Sequence, residues 1–158
     1  ALRSPTPLVA DVMLGEPIEA VPVIPGDPTK GMSPEERWAY WSNKFGTCIR
    51  CYACRQACPL CYCEECAADS IRPNWIRRSV NLSENTSWHI LRAYHHAGRC
   101  SGCGECERVC PLGLPLMAMN RALALEAIKL FEYVPGTDPE AKPMLASFKT
   151  DDKGDFIL

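Results

Sequence analysis

All eleven cysteines of this 158-residue chain fall in two bursts, at residues 48–66 and 100–110. Eleven is odd, so a closed disulfide framework leaves one thiol over. Closely packed thiols separated by two residues cannot all find the geometry that a disulfide requires. They can converge on a soft metal centre. The first burst opens with Cys48-x2-Cys51-x2-Cys54-x3-Cys58-Pro59, and the second is Cys100-x2-Cys103-x2-Cys106-x3-Cys110-Pro111, with identical spacing. Zinc sites usually pair Cys-x2-Cys units across a longer loop. Four cysteines in one short run, twice over, do not follow that pattern.

The rest of the chain is ordinary enough to build a core. Apolar residues make up 47% and charged residues 23%, so the chain is not of the disordered class. The net charge of −2 excludes a strongly basic nucleic-acid binder. The longest uncharged apolar run, Pro111 to Met119, is far too short to span a bilayer. The opening residues lack a basic stretch followed by an apolar one, so no signal peptide is expected. The reduced thiols then point to a cytoplasmic protein.

Three regions are expected: an extended Pro-rich arm at 1–33, a helical domain at 34–134, and an acidic tail at 135–158. The arm carries Pro5, Pro7, Pro17, Pro22, Pro25 and Pro28, which leave little room for a helix. Ser33-Pro34-Glu35-Glu36 is a capping box with proline at the first helical position. That helix should run to about Phe45, with Trp38, Trp41 and Phe45 on one core-facing side. A connector spans 67–83, with a turn at 72–75. A second helix is expected from about Glu84 to Ala97, closed by Gly98. A third should run from about Pro115 to Tyr133, with Leu116, Met119, Leu123, Ala127 and Leu130 at helical spacing. No strand signal is strong, so the fold class is mainly α.

The doubled Cys-x2-Cys-x2-Cys-x3-Cys-Pro run is the signature of bacterial-type [4Fe–4S] binding. Spacings of three residues let one loop wrap a cube and aim three thiolates at three irons. In two-cluster chains the fourth cysteine serves the other cube. One cluster should therefore use Cys48, Cys51, Cys54 and Cys110, and the other Cys100, Cys103, Cys106 and Cys58. Assembly and folding should be coupled by this exchange.

Three stretches resemble the α-helical ferredoxin domain of succinate dehydrogenase iron–sulfur subunits, anaerobic glycerol-3-phosphate dehydrogenase and heterodisulfide reductase small subunits. They are Cys-Ile-Arg-Cys-Tyr-Ala-Cys-Arg at 48–55, Ala-Gly-Arg-Cys at 97–100 and Cys-Pro-Leu-Gly-Leu-Pro at 110–115. The resemblance covers roughly 46–133. It implies two cubes that pass electrons between a flavin or other centre and a second redox site. The run Cys58-Pro59-Leu60-Cys61-Tyr62-Cys63-Glu64-Glu65-Cys66 is similar to iron–sulfur subunits of heterodisulfide reductase-like, formate dehydrogenase and hydrogenase complexes of anaerobes. Some of those resemble the beta subunits of deazaflavin-dependent enzymes, which are longer and carry a further domain upstream. On that likeness this chain corresponds to a C-terminal part. Its partners would be other redox subunits, containing flavin or metal.

Cys61, Cys63 and Cys66 are unclaimed by the two cubes. Three readings stay open: a third iron–sulfur cluster completed from elsewhere, zinc with His89, His95 or His96 as fourth ligand, or free thiols beside the clusters. Otherwise packing or surface roles are expected for the histidines, and core packing for Met117 and Met119. Between 48 and 110 there are eight arginines against six acids. Arg50, Arg55, Arg99 and Arg108 lie in or beside the loops, as electron-affinity tuners or as a solvated docking face. Gly102 and Gly104 give the second loop backbone freedom. No Ser–His–Asp set, phosphate loop or dinucleotide fingerprint appears. The expected function is an electron-transfer subunit of a larger anaerobic oxidoreductase. Two alternatives are a catalytic reductase subunit using a cluster at Cys61, Cys63 and Cys66, and a zinc-stabilised interaction module.

Overall fold

A computed structural model describes residues 27–142 and Met144. Most of the expected Pro-rich arm and the end of the acidic tail lie outside the described residues. Five helices follow one another: α1 (Pro34–Thr47), α2 (Ala53–Gln56), α3 (Leu82–His96), α4 (Glu105–Arg108) and α5 (Leu116–Phe131). The fold is helical, with no strand among the described residues. None of these helices is long and apolar enough to cross a membrane.

The capping box forms as the residues dictate. The Glu36 N–H donates to Ser33 Oγ at 3.2 Å, and the Ser33 N–H donates to Glu36 Oε2 at 2.8 Å. The second helix starts at Leu82, two residues before its expected start. Asn81 is its cap: Asn81 Oδ1 accepts from the Glu84 N–H at 3.0 Å. The last helix stops at Phe131 because Glu132 turns left-handed (φ 54°). At its other end Pro115 has no capping side chain, and Glu107 reaches over to accept from the Met117 N–H at 2.9 Å. A carboxylate there also meets the positive end of the helix dipole.

α3 is the central strut. It packs on α1 and α5, while α4 packs on α2 and α5. Its buried side presents Asn85, Trp88, His89, Arg92, Ala93 and His96, a helical stripe that is unusually polar. Asn85 is fully buried and donates through Nδ2 to the carbonyls of Phe45 (2.9 Å) and Cys48 (2.8 Å). It thereby ties the end of α1, where the first cysteine loop begins, to α3. Phe45 stacks on His89 (4.8 Å between centroids, 12° between planes), and Tyr52 meets Trp88 edge-on at 5.0 Å. Trp88, Ile76, Leu114, Leu116 and Met117 form one core with Cys48, Cys54 and Cys106.

Two packing expectations need correction. Trp38 is 56% exposed: α1 meets α3 at its C-terminal end, where Phe45 is buried, and Trp38 lies two turns away. Leu130 is 61% exposed although Leu116 and Ala127 of the same stripe are buried. Among the described residues, the stripe outruns what α3 and α4 cover.

Candidate metal centre

The two motifs trace the same backbone path. In each, the second and fourth residues after the first cysteine are left-handed: Arg50 (φ 55°) and Tyr52 (φ 59°) in one loop, Gly102 (φ 75°) and Gly104 (φ 78°) in the other. A four-residue helix follows, α2 or α4, and buries the third cysteine, Cys54 or Cys106. The hydrogen bonds repeat as well. Gln56 N–H donates to the Tyr52 carbonyl at 3.0 Å and Arg108 N–H to the Gly104 carbonyl at 3.1 Å; Cys58 N–H donates to Arg55 and Cys110 N–H to Glu107, both at 3.2 Å. These short helices were not visible as sequence periodicity, because four residues complete barely one turn.

The cysteines sort by cavity. Cys48, Cys51, Cys54 and Cys110 line one cavity, with Trp88 and His89 at its wall. Cys58, Cys100, Cys103 and Cys106 line a second, with Arg92, His96 and Asn120. Each set takes its last member from the opposite loop. In each set the middle cysteine of the loop, Cys51 or Cys103, is exposed, and the third is buried. Cys61, Cys63 and Cys66 line a third cavity of about 250 Å³ together with His96. His96 Nε2 stands 3.2 Å from Cys61 Sγ and 3.9 Å from Cys58 Sγ. His95 and His96 both line this cavity, His95 exposed and His96 buried with its Nε2 against Cys61, while His89 is not among the lining residues.

Burial sets the thiol chemistry. It pushes Cys54 up to about 11, and it raises Cys48, Cys100 and Cys106 as well. Such thiols stay protonated at neutral pH until a metal displaces the proton. Two backbone groups oppose that rise. The Arg50 N–H points at Cys48 Sγ at 3.4 Å, and the Gly102 N–H favours the thiolate of Cys100 in the same way. Asn120 Nδ2 approaches Cys106 Sγ at 3.8 Å.

Arg92, not singled out in the sequence, lines both the second cluster cavity and the 250 Å³ one. It is 3% exposed, and Nη2 donates to the Cys54 carbonyl at 3.0 Å. Its Nε and Nη1 are buried with no partner among the described residues. Burial works against its charge, yet the surrounding thiols of Cys54, Cys106, Cys61 and Cys58 raise its pKa. A buried, half-satisfied guanidinium between two rings of thiols fits neighbours that carry negative charge. It lies one turn beyond Trp88 on the buried stripe of α3. The four arginines picked from sequence divide differently. Arg50 is buried and holds backbone: it donates to the Glu84 carbonyl at 2.9 Å and the Arg77 carbonyl at 2.5 Å. Arg55 pairs with Asp69 at 2.7 Å, Arg108 pairs with Glu105, and Arg99 donates to the His95 carbonyl at 2.6 Å.

The chain is similar to known iron–sulfur proteins. Residues 44–114 match the family described as a 4Fe-4S dicluster domain. Residues 44–114 form a dicluster domain of the ferredoxin type. Two [4Fe–4S] clusters are its cofactors, and eight thiols in two rings of four are the ligand chemistry that such clusters take. Over 105 residues, 66% of this chain, it is 33% identical to the F420-dependent formate dehydrogenase subunit beta of Methanocaldococcus jannaschii. It is 30% identical over 105 residues to the F420-dependent formate dehydrogenase 1 subunit beta of Methanococcus maripaludis. The matched stretch spans 27% and 26% of those relatives, about a quarter of their length.

Proposed function

We propose that this chain relays single electrons through two [4Fe–4S] clusters, as an iron–sulfur subunit of a larger anaerobic oxidoreductase. One cluster is held by Cys48, Cys51, Cys54 and Cys110, and the other by Cys100, Cys103, Cys106 and Cys58. The single observation that carries this reading is the sorting of the eight motif cysteines into two crossed rings of four. Free thiols in such number suit a reducing, cytoplasmic compartment. Both relatives are named as beta subunits of formate dehydrogenases, so the complex we infer is of that type, with other redox subunits as partners.

The clusters supply the one-electron chemistry. The chain supplies position, charge and exclusion of water. The Arg50 and Gly102 N–H groups face the first sulfur of each loop and favour the electron-rich state. Arg92 sets one positive charge between the two rings. Cys54 and Cys106 bury the inner edge of each ring, while Cys51 and Cys103 bring the outer edge to the surface, where a partner's redox centre can approach.

The test is iron and acid-labile sulfide analysis of anaerobic protein, with EPR after reduction. About eight irons and eight sulfides per chain are expected. The crossing has its own readout. The spectrum left in Cys58→Ala should match that left in Cys103→Ala, and Cys110→Ala should match Cys51→Ala. A residual Cys58→Ala spectrum that matches Cys51→Ala instead rejects the assignment.

A further inference from the structure

We propose that Cys58 and Cys61 are a redox-switchable pair: a small-molecule disulfide closes them into an internal disulfide and so strips the second cluster of its fourth ligand, reversibly. The backbone already brings the two together. Cys61 N–H donates to the Cys58 carbonyl at 3.1 Å, so Cys58-Pro59-Leu60-Cys61 closes a four-residue turn with proline at its second position. Such a turn holds its end Cα atoms within about 7 Å. A disulfide spans about 4.4–6.8 Å between the same atoms. The two sulfurs lie within 4.8 Å of each other. His96 Nε2 stands 3.2 Å from Cys61 Sγ and 3.9 Å from Cys58 Sγ, so both thiols point to one spot.

The second motif supplies the contrast. Cys110-Pro111-Leu112-Gly113 makes the same turn, with Gly113 N–H donating to the Cys110 carbonyl at 3.1 Å. Residues and hydrogen bond repeat, but glycine stands where the first loop has a thiol. The two thiols of the pair also face different cavities. Cys58 lines the second cluster cavity with Cys100, Cys103 and Cys106, whereas Cys61 lines the 250 Å³ cavity and not the cluster one. Cys61 therefore meets a small reagent from that side, where exposed Cys63 and Glu64 share the wall. Of its neighbouring thiols, Cys58 acts on Cys61 more strongly than Cys66 does.

Electrons and protons balance. Cys61 attacks one sulfur of the reagent, here oxidised glutathione, and forms a mixed disulfide; its proton leaves on the first glutathione released. Cys58, a thiolate while it holds iron, attacks the Cys61 sulfur and expels the second glutathione as its thiolate. Two electrons pass from the cysteine pair to the reagent. A dithiol reverses both steps. Which cluster is lost rests on the ligand sets proposed above; the pairing itself does not. On those sets the first cluster keeps Cys48, Cys51, Cys54 and Cys110, and electron flow stops at the second until the pair reopens.

The experiment treats the loaded full chain, without oxygen, with about one equivalent of oxidised glutathione, then maps disulfides by tandem mass spectrometry. A Cys58–Cys61 disulfide is expected. Iron should fall from about eight toward about four per chain, and dithiothreitol with iron and sulfide should restore it. The EPR signal lost should be the one also lost in Cys103→Ala. Cys61→Ser should keep both clusters under the same treatment, and Cys63→Ser should behave as the unaltered chain. Should Cys61→Ser fail to load, the map of the unaltered chain decides. Three results overturn the pairing: Cys61 joined to Cys63 or Cys66, glutathione retained on Cys61 with both clusters intact, or a Cys61→Ser chain that loses its cluster as fast as the unaltered one. A Cys58–Cys61 disulfide that removes the signal missing in Cys51→Ala upholds the pair and rejects the crossed ligand sets instead.

Discussion

The loops at 48–58 and 100–110 follow the same path with different residues at the two strained positions. The second loop uses Gly102 and Gly104, which enter the left-handed region at no steric cost. The first uses Arg50 and Tyr52, each at a cost of about 1 kcal/mol. The first loop offsets that cost through side chains that the second lacks. Arg50 is buried and bonds two carbonyls and Tyr52 Oη, while Tyr52 packs edge-on against Trp88. One loop is held by its own backbone freedom; the other is held by its neighbours. Equal cysteine spacing therefore does not mean equal dependence on the rest of the fold.

The largest expected effect breaks the loop that relies on its neighbours. Arg50→Ala leaves the Glu84 and Arg77 carbonyls without their donor and should cost about 3 kcal/mol of stability, measured by anaerobic denaturant unfolding with clusters bound. A cost no larger than that of a glycine change in the second loop would erase the contrast.

Next comes the charge that both loops share. Arg92→Gln removes the cation between the rings, so both clusters should hold an added electron less tightly. A fall on the order of 60 mV each is expected, a tenfold change for a one-electron couple, followed by EPR-monitored redox titration. A change confined to one cluster would place Arg92 with that loop alone.

A smaller effect is expected from Gly104→Ala. Nothing lies within 4 Å of where its Cβ would stand, so the penalty is backbone strain only, about 1 kcal/mol. Tyr52→Gly, the matching change in the first loop, relieves strain but loses the Trp88 contact. It should therefore destabilise as well, where a strain-only account predicts a gain.

The smallest is a pH effect on loading. Burial holds the Cys54 proton to about 11 against an ordinary 9.0. The metal-free fold is thus favoured below pH 9 and weakens between 9 and 11, as the unfolded chain releases that proton first. Metal binding has the opposite sign, because it expels the proton. Iron incorporation into the metal-free chain should rise severalfold from pH 7 to pH 9, followed by absorbance.

Much of this was legible in the residues. The doubled spacing and its prolines pointed to two clusters, which the match to a dicluster domain bears out; the crossed ligand set belongs to the proposal. The capping box at Ser33 located the start of α1, though the helix runs on to Thr47 instead of stopping at Phe45. What escaped depends on contacts across the chain. Arg92 looks like any helix arginine until α3 is laid between the loops. His96 could not be told from His89 or His95, since only the packing of Phe45 on His89 and the exposure of His95 separate them. Trp38 carried a core-like spacing, but α1 finds its partner at the other end.

One guanidinium serving two neighbours has a consequence for traffic. Any change in its charge or position therefore shifts the electron affinity of both centres at once, so the two are tuned as a pair and not one at a time.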